Sequence, residues 1–111
     1  MRSHAQYCPV AKAAEAIGDR WTLLIVRELL NGASRFNELE RGLPGISRSI
    51  LAGRLRGLEA AGIVERTAGP ERRTGGYRLT GAGRELDPVF QLLGEWAVRW
   101  ILSDPRPEEL D

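Results

Sequence analysis

The chain has 111 residues, 42% hydrophobic and 28% charged, a balance that fits one soluble domain and leaves little room for a second. One Cys and one His exclude an intramolecular disulfide and a Cys/His structural zinc site, and no uncharged run approaches the roughly 18 residues of a membrane span. Sixteen basic residues, all Arg except Lys12, nearly cancel 15 acidic ones for a formal charge of +1.

Pro9 to Ile17 is predicted as a short helix: Pro9 suits its first position, Val10, Ala13, Ala14 and Ile17 repeat at helical spacing, and Gly18 ends it. Asp19 is expected to cap a second helix running to about Asn31. Its apolar set of Trp21, Leu24, Ile25, Val26, Leu29 and Leu30 is broad enough for burial on most sides. Ser34 has the chemistry of an N-cap for a third, shorter helix with Phe36, Leu39 and Leu43 on one face. Leu43-Pro44-Gly45 reads as a turn, because the residue before proline is pushed out of the helical region.

Ser47 is expected to cap a fourth helix through about Ala61. At about 100° per residue, Leu51, Leu55 and Leu58 share one face, flanked by Ile50 and Arg54, while Ser49, Ala52, Gly53, Arg56 and Ala60 look outward. After Gly62 the pattern changes period. Ile63 to Thr67 and Tyr77 to Leu79 suit two strands of a ribbon, with Glu71, Arg72, Arg73 and Thr74 at its tip. Thr80 caps a last helix whose stripe of Leu86, Val89, Phe90, Leu93, Trp96, Ala97, Trp100 and Ile101 runs through Leu102, with Pro88 kinking or dividing it. Residues 104–111, with two prolines and four acids, read as an acidic tail or linker beyond a domain of residues 1–103.

Charge is segregated along this order. Residues 35–84 hold ten arginines against five acids, whereas residues 85–111 hold two arginines against seven acids. A positive middle beside a negative tail fits a chain of which one part meets a polyanion. The third and fourth helices around the Leu-Pro-Gly turn form a helix-turn-helix candidate, and the ribbon is its wing. The fold class is therefore mainly α with a small β-ribbon.

In such a unit the second helix presses an apolar stripe onto the core while offering small or polar side chains to a major groove about 12 Å wide. Ser47, Arg48, Ser49, Ala52, Gly53 and Arg56 meet that demand, and the helix N-terminus offers amides to a phosphate. Arg72 and Arg73 at the ribbon tip reach toward a neighbouring minor groove or its phosphates, or form a solvated tip. Arg35 reads as a phosphate clamp or a surface charge, and Arg54 as a phosphate contact or a structural ion pair.

Cys8-Pro9-Val10, Gly18-Asp19-Arg20-Trp21-Thr22-Leu23-Leu24-Ile25, Arg27-Glu28-Leu29, Arg35-Phe36-Asn37-Glu38-Leu39 and Leu43-Pro44-Gly45-Ile46-Ser47 carry a family likeness. So do Leu51, Arg54-Leu55, Leu58-Glu59, Gly62-Ile63-Val64-Glu65-Arg66 and Tyr77-Arg78-Leu79-Thr80. From about Tyr7 to Trp100 the chain resembles the HxlR-type branch of winged-helix regulators, related to MarR. The resemblance implies a bacterial transcription factor that binds double-stranded DNA as a homodimer, with its first and last helices at the dimer interface. The family usually carries longer polar side chains, often Thr and Gln, where this chain has Ala52 and Gly53. Selectivity is therefore expected to rest more on Arg48, Ser49, Arg56 and groove shape.

The interface implied by the resemblance involves Val10, Ile17, Phe90, Leu93, Trp96 and Trp100, and its seam could hold a cavity for a small-molecule effector. Cys8 stands at the expected N-cap of the first helix, where unpaired amides favour a thiolate. The resemblance implies a sensor of oxidants, quinones or aldehydes there; the alternative is an inert small hydrophobe.

No catalytic constellation is visible: His4 has no partner, and Glu38 and Glu40, two apart on a helix, diverge. No cofactor, metal or membrane contact is expected. Lys12 and Glu15 interrupt any signal-peptide core, so a cytoplasmic location is expected. The reading is a sequence-specific transcriptional regulator, a repressor, on a pseudo-palindromic operator. A protein-interaction module on the same fold, or the front module of a longer sensor, stands as the alternative.

Overall fold

The computed structural model describes residues 8–68 and 75–102. Among the described residues, six helices and one antiparallel ribbon follow in the order α1 (Pro9–Ile17), α2 (Arg20–Leu30), α3 (Phe36–Gly42), α4 (Arg48–Ala60), β1 (Val64–Arg66), β2 (Tyr77–Leu79), α5 (Gly81–Arg84) and α6 (Asp87–Ala97). A π-helical stretch, Val98–Leu102, continues α6. This is a winged helix-turn-helix. Arg72, Arg73 and the acidic residues 104–111 lie outside the described residues.

Side-chain caps start the helices where the sequence placed them. Asp19 Oδ2 accepts from the Thr22 amide at 3.1 Å, Ser47 Oγ from the Ile50 amide at 3.1 Å, and Thr80 Oγ1 from the Gly83 amide at 3.2 Å, each satisfying an orphan donor of a first turn. One cap differs. Arg35 is the N-cap of α3, and Ser34 stands just outside because its carbonyl accepts from the Tyr77 amide at 2.7 Å, tying the wing to the loop after α2. Glu38 satisfies the first turn instead, its Oε1 accepting from the amides of Ser34 at 3.0 Å and Arg35 at 2.9 Å. These amides hold the Glu38 carboxyl below the usual carboxylate range.

The core gathers Ile25, Val26 and Leu29 of α2, Leu39 of α3, Leu43 and Ile46 of the turn, Leu51, Leu55 and Leu58 of α4, and Ile63, Val64, Tyr77 and Leu79 of the ribbon. Each fully buried Leu or Ile contributes about 1.5–3 kcal/mol through removal from water, which locks α4 across α2 and the base of the wing. Gly45, at φ 94°, makes the turn before α4; a side chain there would strain the left-handed backbone. The strands pair Val64 with Leu79, Glu65 with Arg78 and Arg66 with Tyr77.

The last helix is divided. The hydrogen-bonded run capped by Thr80 stops after α5, and α6 starts ahead of Pro88, which occupies a first-turn position where its missing N–H breaks no helical bond. Leu86 and Phe90 fasten α6 to the core. No residue of α6 or its π-helical extension is buried.

Candidate nucleic-acid interface

The surface that could meet a duplex is built by α4 and its neighbours. Leu51, Leu55 and Leu58 are at most 1% exposed, so the opposite side of α4 is fixed toward solvent. There Ser47, Arg48, Ser49 and Arg56 are exposed, with Ala52 and Gly53 partly covered between them. Ser47 Oγ lies 3.4 Å from Ser49 Oγ, so the two hydroxyls at the helix start form one polar edge. The small Ala52 and Gly53 leave the middle of this face low, which permits close approach of a groove wall.

The arginines divide by what holds them. Arg54 Nε donates to Asp19 Oδ2 at 2.8 Å, and Nη2 to Oδ1 at 3.4 Å. Of the two readings open to Arg54, the structure has the ion pair; it joins α4 to the N-cap of α2. The Arg54 guanidinium and the Thr22 amide hold the Asp19 carboxyl down to about 2, from an ordinary 3.8, and the Asp19 carboxylate in turn pushes Arg54 up. Arg48 stays on the outer face, but its Nη1 donates to Glu40 Oε1 at 2.8 Å and its guanidinium stacks 4.8 Å from the Phe36 ring centre. Arg35 is exposed as the N-cap of α3.

Two side chains take part in this surface beyond what the sequence assigns them. Arg66 of β1 stacks 4.9 Å from the Tyr77 ring centre, beside the cross-strand Arg78–Glu65 pair at 2.9 Å. It adds a cation to the root of the wing, and its place at the end of an alternating strand pattern was the available signal. Glu40 is the second; it and its partner Arg48 stand eight residues apart across a turn, so local spacing gives no sign of the pair.

A separate surface lies on α6 and beyond. Leu93, Trp96 and Trp100 are exposed, the last two by 55% and 70%, and Val89, Leu92, Leu93 and Trp96 line an almost wholly apolar hollow of about 450 Å³. Val10 of α1 is exposed too, whereas Ile17 and Phe90 are half-buried against the core. A run of exposed apolar side chains beside an apolar hollow makes this face a candidate interaction surface.

Cys8 is exposed and forms the N-cap of α1, with no side-chain cap bond. Among the described residues no cluster of three or more His, Cys, Asp or Glu side chains could hold a metal ion. No described helix is long and apolar enough to cross a membrane.

Comparison with known proteins agrees with this geometry. The sequence pattern of HxlR-like helix-turn-helix proteins matches residues 16–105. The HTH-type transcriptional regulator YvaP of Bacillus subtilis is 40% identical over 101 residues, covering 89% of this chain and 94% of YvaP. Rv3095 of Mycobacterium tuberculosis, also an HTH-type transcriptional regulator, is 44% identical over 102 residues; the match covers 89% of this chain but only 61% of that longer relative. The reduced form of the transcriptional regulator YodB from B. subtilis superposes with a TM-score of 0.75 at 38% identity, covering 88% of this chain and 98% of YodB. YodB has also been solved in a quinone-bound form.

Proposed function

The chain belongs to the HxlR-like helix-turn-helix family of DNA-binding transcriptional regulators, and from that premise we propose that it acts as a homodimeric repressor on a pseudo-palindromic operator. Each protomer sets α4 into a major groove, with Ser47, Arg48, Ser49 and Arg56 at the base edges and backbone. Ala52 offers its methyl to thymine, and Gly53 lets the groove wall come close. The observation that carries the reading is the two-sidedness of α4: three leucines sealed into the core and an exposed polar edge at its capped N-terminus.

A second copy covers the exposed face of α6 and the start of α1. This pairing spaces the two α4 helices to meet successive major grooves about 34 Å apart. Arg72 and Arg73 reach the neighbouring backbone from the wing, and Arg35 clamps a phosphate. Arg54 belongs to the scaffold through Asp19. No catalytic role is part of this reading.

Cys8 makes the repressor responsive to electrophiles. Its sulfur, exposed at the start of a helix that borders the proposed dimer seam, adds to a quinone and disturbs the pairing. The quinone-bound form of YodB supports this reading by analogy. With one cysteine in the chain, oxidation instead of addition would need a bond between subunits or a small-thiol cap.

The test is a salt titration on promoter duplexes. If each protomer makes about four phosphate contacts, log K falls with log salt at a slope near −7 for the dimer, at about 0.9 per contact. A salt-independent affinity, or none for any fragment, would overturn the reading.

A further inference from the structure

Arg48 begins α4 at the groove-facing edge, yet it is already engaged. Phe36 and Glu40 stand one turn apart on the same face of α3, and the turn through Gly45 carries Arg48 onto them. The guanidinium lies over the Phe36 ring, 4.8 Å from its centre, and Nη1 donates to Glu40 Oε1 at 2.8 Å. The Arg48 side chain remains 65% exposed and that of Glu40 32%. Among the described residues the Arg48 side chain makes no other hydrogen bond, which leaves its Nε and Nη2 donors uncommitted.

An exposed ion pair of this kind adds little to stability, so its consequence lies in what Arg48 can still bind. A guanidinium neutralised by a carboxylate is a poor phosphate clamp: it releases few counterions, and the carboxylate beside it repels the backbone. It is still a rigid planar fork. Two parallel N–H groups, held in one plane by an aromatic ring, match the O6 and N7 acceptors of guanine, which carry no formal charge. The low-relief Ala52 and Gly53 leave this end of α4 as the place where donors of fixed direction stand.

Resting on the DNA-binding reading above, we propose that Glu40 is a specificity-determining residue: by holding Arg48 against Phe36 it makes that arginine a reader of guanine in the major groove rather than a backbone clamp. Glu40 does not touch DNA. It acts through Arg48, and its removal frees a cation that binds phosphate of any sequence.

The experiment compares the full-length wild type, Glu40→Gln and Arg48→Ala on two duplexes, the tightest binder from a random pool and a scrambled duplex of the same composition, across a salt series. In Glu40→Gln the salt slope is expected to steepen by about 0.9 for each protomer, with tighter binding to the scrambled duplex and discrimination lowered about tenfold. Arg48→Ala is expected to lose about tenfold or more in discrimination with no change in slope. Unchanged slope and discrimination in Glu40→Gln, or a shallower slope in Arg48→Ala, would overturn the proposal while leaving DNA binding intact. A wild type that binds neither duplex would remove the proposal together with the reading beneath it. Thermal unfolding by circular dichroism, unchanged in Glu40→Gln, separates these results from misfolding.

Discussion

Arg54 and Asp19 meet with Nε and Oδ2 2.8 Å apart although they are separated by 35 positions in the chain. Asp19 thereby does two things at once: it caps α2 through the Thr22 amide and anchors the middle of α4. The orientation of α4 is thereby coupled to the start of α2.

That coupling has a pH signature. Because the folded-state carboxyl of Asp19 is held down to about 2 from 3.8, its stabilising contribution is fully present above the ordinary value and is lost as pH falls from there toward 2. Asp19→Asn is expected to lower the urea midpoint of unfolding near neutral pH. The gap to wild type should close between about pH 4 and pH 2. Arg54→Ala should lose the larger part of this pH-dependent component, the Thr22 amide keeping the rest, while retaining the wild-type salt slope in DNA binding. A slope shallower by about 0.9 per protomer would place Arg54 on a phosphate instead.

The cap at the start of α4 is the second test. Ser47→Ala removes the acceptor for the Ile50 amide, which is expected to destabilise the fold by about 1 kcal/mol in denaturant unfolding. DNA affinity should fall for selected and unrelated duplexes alike, since the fraying affects the whole N-terminal edge. Ser47→Asp restores the cap but sets a negative charge beside the backbone. It should recover stability without recovering affinity.

The C-terminal face gives a third. Trp96 and Trp100 are more than half exposed in the single chain, and burying each against a second copy would contribute about 2 kcal/mol or more. Wild-type protein is expected to sediment as a dimer at micromolar concentration. Trp96→Glu with Trp100→Glu should sediment as a monomer with an unchanged far-ultraviolet spectrum. A wild type that stays monomeric at every concentration would show that something else covers this face.

Cys8 supplies a fourth. Benzoquinone treatment is expected to add one adduct per chain by intact mass and to release bound DNA, and Cys8→Ser should show neither effect. Adduct formation with full retention of DNA would leave Cys8 reactive but without regulatory consequence.

Much of this architecture was legible because its signals are local. Asp19, Ser47 and Thr80 are side-chain acceptors set just before helical periodicity, and Gly45 and Gly62 mark the two points near α4 where the backbone turns left-handed. The readings that changed depend on groups distant in sequence. Ser34 has cap chemistry, but the wing claims its carbonyl, so the α3 cap moves to Arg35. Composition cannot tell an arginine on phosphate from one on a carboxylate. Arg54 needed the position of Asp19, and Arg48 that of Glu40. The division of the last helix was foreshadowed by Pro88, but the break falls ahead of it, at Glu85 and Leu86, where Leu86 turns in to the core.

Selection of bound duplexes from a random pool tests the two-protomer, two-groove geometry most directly. The expected outcome is an inverted repeat whose half-sites are centred about one helical turn, or a whole multiple of it, apart, with a guanine in each half-site that Arg48→Ala no longer enriches. Enrichment of a single unrepeated half-site, or of no sequence at all, would contradict it.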